Sequence, residues 1–195
     1  MSEPGPPLVL ASSSPRRLAL LRQVGVEPDR VVAPEADETP LRRELPREHA
    51  LRLAVAKAEA VAGAHPGAFV LAADTVVACG RRILPKAETR EEAERCLDLL
   101  SGRRHRVLGG VCVLAPDGRR SVRVVLTAVR FRRLGEGERA RYLEGGEWRG
   151  KAGGYAIQGR AAAFVPAING SYANVVGLPV VEALAMLRGL GWRES

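Results

Sequence analysis

Phe69-Val-Leu-Ala-Ala-Asp74-Thr-Val-Val-Ala78 is a near-continuous apolar run broken by one carboxylate. A half-exposed strand alternates apolar and polar residues, whereas an unbroken run marks a central strand covered on both faces. Helical patterns lie before and after it, which makes this an α/β chain. Asp74 is the exception inside the strand. A buried carboxylate is costly unless it is paired, hydrogen-bonded or bound to a metal. Backbone donors alone would satisfy it in a structural role, but buried carboxylates of this kind cluster at functional sites, and the site reading is the stronger.

Toward the N-terminus, Leu8-Val-Leu-Ala-Ser-Ser-Ser-Pro-Arg-Arg17 begins as a short apolar run and opens a helix at Pro15. Proline suits the first helical position, Ser14 is placed as its N-cap, and Gly25 supplies the stop. The charge of the first turn is unusual: Arg16 and Arg17 oppose the helix dipole and each other. A strand, a serine-rich turn and a helix start with two arginines describe a socket for a phosphate-like anion; two solvated arginines on a capped helix are the plain alternative. Val31-Val32-Ala33 reads as a short strand, and the acidic loop Glu35-Ala36-Asp37-Glu38 after it offers carboxylates to a divalent cation if it is more than a solvated loop. Pro46–Ala62 is a helix ended by Gly63. Its spacing puts Leu53, Lys57 and Val61 on one stripe, and that pattern alone reads as a lysine with a packed stem and its head in water.

Beyond the central strand, Gly80 turns the chain into Ile83-Leu84, and Lys86 follows. Thr89–Leu100 is a helix with a Thr89/Glu92 capping box and an apolar face at Ala93, Cys96, Leu97 and Leu100. Val107–Leu114 and Val122–Phe131 flank Pro116-Asp117-Gly118 as a hairpin. Glu136–Leu143 is a short helix and Pro179–Leu190 an amphipathic one. Between them, Gly150-Lys151-Ala-Gly-Gly-Tyr-Ala-Ile-Gln158-Gly159 reads either as a turn between strands or as backbone that lets another group approach closely.

Of the 30 basic residues only Lys57, Lys86 and Lys151 are lysines, so lysine is a candidate marker of places needing a compact, flexible charge. The net charge of +8 invites a nucleic-acid reading, but the arginines come as scattered pairs without aromatic interleaving, which reads as solvated surface. No apolar run approaches a membrane span and Met1–Pro7 lacks the character of a signal peptide, so a cytoplasmic location is expected. Cys79, Cys96 and Cys112 are odd in number and dispersed, and His49, His65 and His105 share no ligand spacing, which speaks against disulfides and a structural metal.

With these residues quoted, the chain resembles the Maf family of nucleoside triphosphate pyrophosphatases from Leu8 to about Gly191. The resemblance rests on Ala11-Ser-Ser-Ser-Pro-Arg-Arg17, Asp37-Glu38, Ala73-Asp74-Thr75, Leu100-Ser101-Gly102, Lys151 to Gly159, Asn169-Gly170-Ser171-Tyr172 and Gly177-Leu178-Pro179. It implies a single domain over 1–195 with a mixed α/β fold: a mixed sheet with flanking helices and two lobes about a central cleft, similar to inosine triphosphate pyrophosphatase-like folds. It also implies cleavage between the α- and β-phosphates, a divalent cation (Mg or Mn) and a homodimer. Arg16, Thr75 and Gln158 match the branch acting on dTTP and UTP rather than on 7-methyl-GTP. Gln158 makes chemical sense there, because its amide offers a donor and an acceptor to a uracil or thymine edge.

Carried over by position, Asp74 is the proton acceptor for the attacking water, and Glu38 joins it at the metal and in catalysis. Ser12, Arg16, Arg17, Lys57 and Lys86 hold phosphates, with Lys86 also catalytic. Ser13, Ala87 and Gly109 depart from the family pattern: Ser13 stiffens the turn, Ala87 loosens the loop after Lys86 and Gly109 removes a hydroxyl. The family name is attached to inhibition of septum formation, so a nucleotide-dependent regulator of cell division is the alternative to an enzyme.

Overall fold

The computed structural model describes residues 5–194; residues 1–4 and 195, with most of the Met1–Pro7 segment, lie outside the described residues. The central strand is β3, Phe69–Cys79. On one side β6, Arg104–Leu114, pairs antiparallel with it along Val70–Ala78. Its other edge is shared. There β1, Leu8–Ala11, pairs parallel as far as Ala11 opposite Ala72. Beyond a gap, β4, Arg82–Leu84, pairs antiparallel with Val77–Cys79. The sheet is completed by β2, Arg30–Val32, parallel to β1, and by β7, Arg120–Arg130, and β9, Ala167–Asn169, both antiparallel additions beyond β6. It is therefore a mixed sheet of seven strands. A separate two-stranded ladder joins β5, Lys86–Ala87, to β8, Lys151–Ala152.

Alternation along β1 and β3 sorts the core into two faces. Leu8, Leu10, Phe69, Leu71 and Ala73 pack with α1, Pro15–Gln23, and α6, Val180–Gly189. Val9, Ala11, Val70 and Ala72 face α2, Pro46–Ala62. Gly110 lets α2 press onto the sheet, since a Cβ there would meet the Ala50 carbonyl oxygen at 2.0 Å. At the other end of the long strands, Val77, Val107, Val129 and Phe131 join α3, Arg90–Leu100, and α4, Glu136–Glu144, in a second core rich in aromatic rings. The α3 capping box and its four buried apolar residues match the sequence pattern.

Several local expectations change. Ser14 occupies the N-cap of α1, yet its side chain makes no capping bond. The Ser12 hydroxyl is the one engaged, accepting from the Ser14 N–H at 3.1 Å. Both hairpin strands start earlier than their apolar segments, at Arg104 and Arg120, and the second ends at Arg130 rather than Phe131, because the ladder runs from the Arg104–Arg130 pair to the Leu114–Arg120 pair. Ala87 is fully buried, and its carbonyl accepts from the Gly150 N–H at 2.9 Å, so the loop after Lys86 is held by the β5–β8 ladder. Gly109 does more than lack a hydroxyl: a Cβ there would meet Asn174 Oδ1 at 1.9 Å. Among the described residues no helix is long and apolar enough to cross a membrane.

Candidate active site

The gap between β1 and β4 on one edge of β3 creates the site. Among the described residues Ala73–Val76 have no strand partner on that edge, and Asp74 and Thr75 stand just past the end of β1. Ligands of α/β sheets bind at such carboxyl-end crevices. Because successive side chains alternate, Asp74 points to the α2 face and Thr75 to the α1 face. Each meets a cation there.

On the α2 face Lys57 Nζ lies 2.6 Å from Asp74 Oδ1 and 2.5 Å from Glu38 Oε1. The Lys57 side chain is 6% exposed, so the surface placement its helical pattern favours is wrong. The stripe is buried along its whole length, and the ammonium is sustained there by two carboxylates. Glu38 also pairs with Lys86. Burial pushes the Glu38 carboxyl up, but Lys57 and Lys86 outweigh it and hold the group at about 2.

On the α1 face the Arg17 guanidinium is a hub. Its Nε donates to the Gly177 carbonyl at 2.9 Å, Nη1 to Ser12 Oγ at 3.1 Å and Nη2 to Thr75 Oγ1 at 3.3 Å. Burial lowers its pKa, and the nearby charge of Asp74 counters this. Arg16, half-buried, donates from Nε to the Val176 carbonyl at 3.3 Å. Those two carbonyls close α5, Tyr172–Val176, whose start is capped by Ser171 accepting from the Asn174 N–H at 3.2 Å. Asn174 is buried and donates to Val125, Val107 and Thr127. The Asn169–Tyr172 and Gly177–Pro179 blocks therefore support the arginines from behind. Leu100-Ser101-Gly102 is also a structural tie: Ser101 Oγ accepts from the Leu134 N–H at 2.9 Å.

A cleft of about 290 Å3 opens over these groups. Its lining includes Ser12, Arg16, Arg17, Glu38, Lys57, Thr75, Lys86 and Gln158, residues singled out from the sequence. All three lysines of the chain reach it. Asp74 borders instead an adjoining cavity of about 280 Å3, whose wall shares Glu38, Thr75 and Lys86 with the cleft. Arg149 was not legible in the sequence, being one arginine among many; its spacing from Lys151 was the available signal. Tyr155, Ala156, Val175 and Val176 supply an apolar side. Burial lowers the Lys151 pKa and Arg16 lowers it further. The cleft is thus a cationic, partly dehydrated volume, suited to a polyanion with a flat organic end.

A family model described as Maf-like protein matches residues 7–190. The chain belongs to the Maf family. It is 64% identical over 185 residues to a Paramagnetospirillum magneticum protein named dTTP/UTP pyrophosphatase, covering 95% of this chain and 97% of that one. A Caulobacter vibrioides protein of the same name is 62% identical over 189 residues, covering 97% and 98%. Among solved structures, the Staphylococcus aureus Ham1 protein aligns with 64% of this chain and 71% of its own at 20% identity and a TM-score of 0.46. That likeness is too distant to carry an argument about the Maf site.

Proposed function

We propose that this Maf protein is a nucleoside triphosphate pyrophosphatase acting on dTTP and UTP, releasing the monophosphate and pyrophosphate. The observation that carries the reading is the Glu38–Lys57–Asp74 chain, which joins a cleft lined by Arg16, Arg17, Lys86, Arg149 and Lys151 to the adjoining cavity that Asp74 borders. The names of the relatives supply the nucleotides.

In this reading the cations hold the triphosphate and take up the charge that grows on the leaving pyrophosphate. Lys57 occupies Asp74 Oδ1, and Oδ2 accepts a proton from a water in the adjoining cavity. That water's oxygen bonds to the α-phosphorus as the α–β bridging P–O bond breaks, and the electron pair leaves with pyrophosphate. Arg16, Thr75 and Gln158 select the base, and Ser12 and Arg17 shape the phosphate end.

Glu38 and Asp74 are also the residues that would hold a divalent cation. Their carboxylates converge on Lys57 Nζ, so a cation would take over oxygens now paired with lysine, and all-oxygen donors beside the phosphate cleft suit Mg or Mn. Among the described residues no group of three or more His, Cys, Asp or Glu is placed to hold a metal, so substrate phosphates would complete the shell. Such a cation would supply charge neutralisation and polarisation at the phosphate oxygens. One domain of two lobes and a homodimer belong to the same reading and rest on the family resemblance; a cytoplasmic location is proposed with them.

Pyrophosphate release from dTTP, UTP, CTP, ATP, GTP and 7-methyl-GTP, with and without Mg or Mn, tests the proposal. Metal-dependent release confined to dTTP and UTP supports it. Release chiefly from 7-methyl-GTP overturns the base assignment, and no release from any of them overturns the reaction.

A further inference from the structure

Gln158 is exposed at the cleft, yet the backbone on both sides of it is tied into the second core. The Gly159 N–H donates to the Ala156 carbonyl at 3.0 Å, closing a turn with Ile157 and Gln158 at its tip. At the entry to that turn, the Ala156 N–H donates to the hydroxyl of Tyr142, a residue of α4 that is 2% exposed. One residue earlier, the Tyr155 hydroxyl lies 2.8 Å from His105 Nε2 on β6. Ile157 is buried and fastens the tip from below. At the exit, the Arg160 N–H donates to Glu147 Oε2 at 2.8 Å. That carboxylate lies so close to Gly159 that a Cβ there would meet it at 2.1 Å. A glutamine amide can select a base only where its backbone holds it within hydrogen-bond reach of the base edge, because a turn that shifts carries the amide off that edge.

We infer that Tyr142 and Glu147 are positioning residues for base selection: the Tyr142 hydroxyl and the Glu147 carboxylate fix the two ends of the Ala156–Gly159 turn and so set the register of Gln158. Neither residue contacts the substrate. The inference rests on the proposed role of Gln158 and assigns that role its structural support. It accounts for glycine at 159, where a Cβ would meet the Glu147 carboxylate, and for tyrosine rather than phenylalanine at 142 within an aromatic core.

The test compares kcat/KM for UTP and CTP in wild type, Tyr142→Phe, Glu147→Ala, Gln158→Ala and the Tyr142→Phe/Gln158→Ala double variant. Loss of one neutral hydrogen bond predicts a fall in the UTP-to-CTP ratio of about three- to tenfold for Tyr142→Phe, with the CTP value within about twofold of wild type. Glu147→Ala shifts the ratio in the same direction, and Glu147→Gln, which keeps an acceptor for the Arg160 N–H, restores it. The double variant matches Gln158→Ala alone. A general loss of structure would lower both substrates together and multiply in the double variant; either result overturns the inference. If Tyr142→Phe does not fold, the Glu147 pair decides by the same ratio. A Gln158→Ala protein with an unchanged ratio overturns the base assignment itself, a failure distinct from unchanged ratios in Tyr142→Phe and Glu147→Ala alone.

Discussion

Lys57 Nζ lies 2.6 Å from Asp74 Oδ1, one from the middle of α2 and the other from Ala73–Val76 of β3, which lies between the residues paired with β1 and those paired with β4. Both side chains are almost wholly buried, and Lys57 is shared with Glu38. This pair links the stability of the fold to its chemistry.

Asp74→Asn keeps the shape and removes the proposed proton acceptor. Turnover of UTP falls by about a hundredfold or more, the range of a lost general base, while KM changes little. Steady-state kinetics on protein with unaltered circular dichroism checks this. Turnover within a few-fold of wild type would remove Asp74 from the mechanism.

Lys57→Ala leaves Asp74 buried without its partner. Removing one member of a buried pair costs about 3–5 kcal/mol, and urea unfolding reads that loss as a lower midpoint. Adding Asp74→Asn recovers part of it, because the uncompensated charge is then gone. A Lys57→Ala protein as stable as wild type would show that the pair is not buried in solution.

His105, 1% exposed between Tyr155 and Phe131, has its pKa pushed by burial down to about 4 from an ordinary 6.5. Between those values the unfolded chain binds the proton and the folded chain does not. The folded state therefore keeps this contribution above pH 6.5 and loses it as pH falls through about 4. The full loss is about 3 kcal/mol at low pH. Glu38, held at about 2, stays ionised in the folded state, but its unfolded carboxyl takes a proton from about pH 4.5 downward, so it adds to the loss at the acid end of that window and below it. Urea midpoints at successive pH values should fall with acidification, and His105→Phe should flatten the fall.

Chelation of divalent ions should abolish pyrophosphate release, and Mg or Mn should restore it. Metal without nucleotide should leave the melting temperature unchanged, because Glu38 and Asp74 already share Lys57 and the proposed cation would need substrate phosphates to complete its shell. Calorimetry of the metal alone checks the second half.

Gly109→Ala should destabilise the protein by about 1–3 kcal/mol, the usual cost of overpacking, since the new Cβ would press on Asn174 Oδ1. Paired with Asn174→Ala, the same change should cost less, and thermal melts of the two backgrounds provide the comparison.

Local patterns were enough for much of this molecule. The apolar run at 69–78 announced the central strand, Thr89 and Glu92 announced the start of α3, and the rarity of lysine singled out three residues that reach one cleft. These are properties of near neighbours, whose period and capping chemistry are written along the chain. The pairing of Lys57 with Asp74, the hub made by Arg17, and the supporting roles of Asn174 and Ser101 were decided only by tertiary structure. They depend on where β1 stops beside β3 and on which face each residue of β3 presents. Helical spacing could place Lys57 on a stripe but not say what covered it, because burial is set by elements distant in sequence. The sequence alone determined which charged groups exist and on which elements they ride; the folded sheet decided which of them meet, since alternation and strand length, not sequence distance, bring Asp74 to one helix and Thr75 to the other.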